Sequence, residues 1–85
     1  MTILSNNTDL YNYLIVLANK LKRLGADNLS QLVVRATRAA GQSTEFLGES
    51  KLSLQQVLQD GNKILTSEEY KEMQIILAEI NNALR

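Results

Sequence analysis

The sequence has no cysteine, no histidine, no proline and no tryptophan. Without thiols and imidazoles there are no disulfides, no zinc ligation by cysteine or histidine, no cysteine nucleophile and no Ser-His triad. No cofactor is expected. The missing proline removes the strongest helix breaker, leaving Gly25, Gly41, Gly48 and Gly61 as the backbone punctuation. Net charge is also absent: nine basic residues balance nine acidic ones across 85 positions, so the chain as a whole releases few counterions on DNA. The longest unbroken apolar run, LIVLA at 14–18, is far short of the about 20 residues a membrane-spanning helix needs. MTILSNNTD at the start lacks the basic and apolar regions of a secretory signal. These features together point to a cytoplasmic protein with no membrane partner.

What the chain does have is apolar residues, 45% of the total, which argues against intrinsic disorder. They recur at three- and four-residue spacings along the whole length, and no strand-like alternation persists. An 85-residue chain without a linker makes one domain, and so small a domain has a thin core. The expected fold is all-α: a small antiparallel bundle of three helices, or four if the central one breaks near Gly48, forming a dimer.

The first helix is predicted over 9–24, with Thr8 as N-cap and Asp9 in the positive first turn. Its buried stripe is Leu10, Leu14, Leu17, Leu21 and Leu24, and Gly25 supplies a left-handed stop. Asp27 then caps a second helix, giving an antiparallel hairpin. The second helix is predicted over 27–48, with continuation to 59, on a face of Leu29, Val33, Ala36, Ala40, Ser43 and Leu47, widened by Leu32, Ala39 and Phe46. The competing reading ends it at Ala40, with Ser43 as a fresh N-cap. Ser53 with Gln56 has the form of a capping box, and QDGN at 59–62 signals a turn. The last helix, over 67–84, opens on a Thr66/Glu69 capping box with Leu65 and Tyr70 at the staple positions. Its buried face is Tyr70, Met73, Leu77, Ile80 and Leu84, with Ile76 beside it.

Two features bear on function. Ser30, Thr37, Gly41, Thr44 and Gly48 are spaced so that one continuous helix would carry them as a narrow stripe, against which another helix could pack closely. Ile15, Val16, Val34 and Ile75 lie off the buried faces, a second apolar surface in a domain too small to cover it. The primary expectation is a non-enzymatic interaction module. It would associate with itself or with another helical protein through Ile15, Val34, Thr37, Gly41, Thr44 and Gly48.

The alternative is a small DNA-associated regulator. Residues 20–38 hold Lys20, Lys22, Arg23, Arg35 and Arg38 against Asp27 alone, and they straddle a helix–turn–helix-like segment. Against this reading, the second helix as predicted runs much longer than an ordinary recognition helix. Glu68, Glu69 and Glu72 are explained by a first helical turn, which favours acids, and no catalytic or metal-binding motif is present.

Overall fold

The computed structural model describes residues 7–84, which form four helices: α1 (Asn7–Arg23), α2 (Asp27–Thr37), α3 (Ser43–Asp60) and α4 (Ser67–Ala83). No strand occurs among the described residues, so the all-α bundle expected from the spacing is the fold. The chain lies back and forth, α1 against α2, α2 against α3 and α3 against α4.

α1 begins at Asn7 rather than Asp9, so Thr8 is inside the helix and the N-cap position falls outside the described residues. At its other end the expected stop is present. Gly25 has φ +83°, the left-handed region that glycine enters without a Cβ clash. The Ala26 N–H donates to Leu21 O at 2.9 Å and the Gly25 N–H to Lys22 O at 3.1 Å, a Schellman arrangement that satisfies carbonyls left open by the helix end. Leu24 is thereby carried past the helix and is exposed, not buried as its place in the stripe implied. Ala26, not Asp27, holds the cap position of α2, and Asp27 stands in the first turn. Ser30 fixes the hairpin: its Oγ donates to Ala18 O at 2.8 Å, and both residues are buried.

The central segment departs from the long helix. α2 ends at Thr37 and the chain continues through i→i−3 bonds, Arg38 to Arg35, Ala39 to Ala36 and Ala40 to Thr37, the tighter winding common at helix ends. Gln42 is extended, at φ −129° and ψ 96°, and caps α3. The restart therefore comes at Ser43, but the cap is the residue before it. Gly48 lies inside α3 and breaks nothing. Ser53 caps nothing either: its Oγ donates to Leu32 O at 3.0 Å, across to α2.

That contact shows why the helix does not run straight. Residues 32 and 53 in one helix would be about 31 Å apart. A single helix over 27–60 would be about 50 Å long, whereas the longest extent of the molecule is 31 Å. Phe46, Leu54 and Val57 are fully buried, and each such side chain contributes about 1.5–3 kcal/mol. A straight rod would leave them without a core. The reversal falls where Ala39, Ala40 and Gly41 offer little side chain to bury, so breaking the helix there forfeits least.

Gly61 caps α3, as the QDGN signal implied. A Cβ at this position would sit 2.7 Å from Val57 O, a close approach that only glycine permits. α4 then opens with the expected capping box. Thr66 Oγ1 accepts from the Glu69 N–H at 3.1 Å, and the Thr66 N–H donates to Glu69 Oε1 at 2.8 Å. Met73, Ile76, Leu77 and Ile80 are buried, while Tyr70 and Leu84 are half-buried at its ends. Each of the four helices supplies core residues to one buried cluster. No helix among the described residues is long and apolar enough to cross a membrane.

Candidate interaction surface

With the core closed, several large aliphatic side chains remain outside it. Val16 is 65% exposed, Leu52 62%, and Leu24 and Ile75 each 47%. Leu24 follows from the end of α1. The other three sit on helix flanks, away from each helix's buried stripe, and two of them, Leu52 and Val16, line surface depressions at two places.

The larger place is an open groove of about 520 Å³ between α2 and α3. The Ser53–Leu32 hydrogen bond sets its register. Leu32 on α2 and Leu52 on α3 give it an apolar middle, with Leu29, almost fully buried, one turn away. Arg35 and Glu49 flank one end, and Asn28, Gln56 and Asp60 the other. Gln56 Nε2 donates to Asp60 Oδ2 along α3. No ion pair within the described residues occupies Arg35 or Glu49. The groove therefore has an apolar centre, with a cation on its α2 wall and an anion on its α3 wall near one end.

The second place is the seam between α1 and α4, where Val16 lines a small depression with Tyr13, Lys20, Glu69 and Glu72. Lys20 pairs with Glu69 across the seam. One Glu69 oxygen serves the capping box and the other the ion pair, so this carboxylate both starts α4 and ties it to α1. Burial pushes the Tyr13 phenol above its ordinary range, and the Glu72 carboxylate pushes it further the same way. Its hydroxyl therefore stays protonated at any physiological pH.

The residues predicted as an interface are dispersed by the reversal. Thr37 closes α2 and is half-buried, its Oγ1 donating to Val34 O at 2.5 Å. Gly41 is exposed in the connection, and Thr44 and Gly48 follow on α3. Ser30 is committed to the α1–α2 contact. The continuous stripe is thus corrected to pieces of two helices and a turn. Space is open over both glycines: nothing would meet a Cβ at Gly41 or Gly48 within 4 Å. Val34 packs half-buried against the core, and Ile15 is half-buried on α1.

The basic residues are divided as well. Lys20 is engaged with Glu69 at the α1–α4 seam, while Arg35 belongs to the α2–α3 groove. Lys22, Arg23 and Arg38 are exposed near the ends of α1 and α2.

Sequence reasoning identified Val16 and Ile75 as out of place but missed Leu52. The signal was available. Leu52 is off the stripe of Phe46, Ser50, Ser53 and Val57, just as Val16 is off its own. Comparison of the chain with family models, curated proteins and solved structures finds no match.

Proposed function

We propose that the protein is a non-enzymatic helical interaction module that associates with a second copy of itself. The observation that carries this is the pair of long aliphatic side chains, Leu52 and Val16, left mostly in water although the core beneath them is complete. Scattered exposed aliphatics are ordinary. Here Leu52 adjoins Leu29 and Leu32 in one groove with polar ends, the pattern of an apolar centre and polar rim that association surfaces have. The open space over Gly41 and Gly48 gives a further place where a companion helix could approach, beside Thr44 and Thr37. Ile15 and Val34, already half-covered, would lie at its margin. Another helical protein could bury the same surfaces.

Sedimentation equilibrium tests the reading. A concentration-dependent monomer–dimer equilibrium is expected for the unmodified chain. A monomer throughout the high micromolar range would overturn self-association.

A second reading is favoured by one observation: α2 has 11 residues, short enough for a recognition helix after a tight turn. The protein would then be a small DNA-associated regulator contacting phosphates through Arg35, Arg38, Lys22 and Arg23, with Lys20 released from Glu69. Binding to duplex DNA should weaken steeply with salt and be lost in Arg35→Ala/Arg38→Ala. Absence of binding at low salt would end this reading.

A further inference from the structure

Resting on the self-association reading, we propose that the α2–α3 groove is itself the dimer contact, with a two-fold axis running along it so that Arg35 meets Glu49 and Leu32 meets Leu52 of the second copy.

The groove's register carries this. Leu32 and Ser53 stand level, joined by their hydrogen bond, and α3 runs back along α2. Arg35 is three residues beyond Leu32, and Glu49 four residues before Ser53, so both lie about 4.5–6 Å toward the same end. Leu52 is about 1.5 Å from the Leu32 level. Asn28 and Gln56 are displaced about 6 and 4.5 Å toward the opposite end. A two-fold axis along the groove exchanges its walls while keeping each level in place. Every α2 residue then faces the α3 residue of its own level on the other copy: cation to anion, leucine to leucine, amide to amide. Each contact occurs twice, as an isologous interface requires.

The groove is suited to a copy of itself because its walls carry opposite charges at one level and matching side chains, leucine or amide, at the others. Arg35 and Glu49 have no ion-pair partner among the described residues, so the contact would supply one to each. The α1–α4 seam lacks this property. Its cation is already paired with Glu69, so a second copy laid there has no unpaired cation to offer Glu72, the other acid lining the depression. A stable contact needs about 800 Å² from each partner, roughly a seventh of this chain's 5442 Å². One broad face of a molecule 31 by 26 Å in its longer extents can supply it.

The test is a charge-reversal pair read by sedimentation, with circular dichroism confirming that each variant is folded. Arg35→Glu alone places glutamate opposite glutamate, and Glu49→Arg alone places arginine opposite arginine. Each variant should be monomeric where the unmodified chain is dimeric. Mixed in equal amounts they should form a heterodimer, since both cross-pairs are then opposite in sign. Leu52→Glu, at an exposed helix position, should weaken association about 30-fold or more, the effect expected of a central contact residue. An unmodified dimer that persists in all three variants overturns this surface while leaving self-association intact. Two monomeric variants that fail to associate on mixing overturn the proposed axis. An unmodified chain that is monomeric overturns both this surface and the reading on which it rests.

Discussion

The chain reverses direction at residues 24–26 and again at residues 38–42, and the two reversals are held by different physics. At the first, Gly25 takes a left-handed φ of +83° and two backbone hydrogen bonds close the helix end. The turn is made by its own residues. At the second, no residue has a positive φ, Gln42 makes no side-chain cap, and the winding tightens and stops. What holds the chain there lies outside the connection: Phe46, Leu54 and Val57 reaching the core, and Ser53 reaching Leu32. A turn can be specified locally, or it can be the place where an otherwise helical segment yields so that the residues beyond it can be buried.

Four substitutions sharpen or break that contrast, from the largest expected effect to the smallest. Phe46→Ala removes the largest fully buried side chain and should cost about 3–5 kcal/mol in chemical denaturation. If the second reversal were locally encoded, helical content and the α2–α3 contact would survive with little loss. Gly25→Ala forces a Cβ into the left-handed region and should cost about 1–2 kcal/mol. A neutral result would mean that the first turn is not held by its glycine. Ser50→Ala should do the reverse. The Ser50 hydroxyl is fully buried without a hydrogen-bond partner among the described residues, and its removal is expected to raise stability by about 1 kcal/mol. Gly41→Ala should also be stabilising, by about 0.4–1 kcal/mol, because its φ is not positive and the space over it is open. A loss there as large as at Gly25 would erase the distinction between the two reversals.

The same distinction explains what could be read from the sequence. Where local chemistry decides, the reading succeeds: the Gly25 stop, the QDGN turn, the Thr66/Glu69 box, the α1 stripe from Leu10 to Leu21 and the α4 stripe from Met73 to Ile80. At 38–42 the local signals favour continuation. Alanine and arginine are good helix formers, no proline intervenes, and the apolar phase runs unbroken from Leu29 to Leu47. The fold does not keep that phase: α3 buries Phe46, Ser50, Ser53 and Val57, while Leu47, in phase with α2, is only half-buried. Against continuation stood only the cap signal at Ser43 and the length of a straight helix, too great for a small domain to cover. The site was legible to the same degree. Misplaced aliphatics on α1 and α4 stood out against clear stripes. Leu52 was hidden among Leu54, Val57 and Leu58, which dominated a helix whose partner had not been identified.

Everything about the α2–α3 groove depends on the reversal, and one distance measures it. The absence of native cysteine allows a clean pair of spin labels at Gln31→Cys and Gln55→Cys, both exposed sites on α2 and α3. The labelled chain would be diluted into unlabelled protein so that only distances within one chain are read. Neighbouring packed helices have axes about 8–10 Å apart, which places the labels within about 20 Å of each other. A distance near 36 Å, the rise of 24 residues in one straight helix at about 1.5 Å each, would contradict the account.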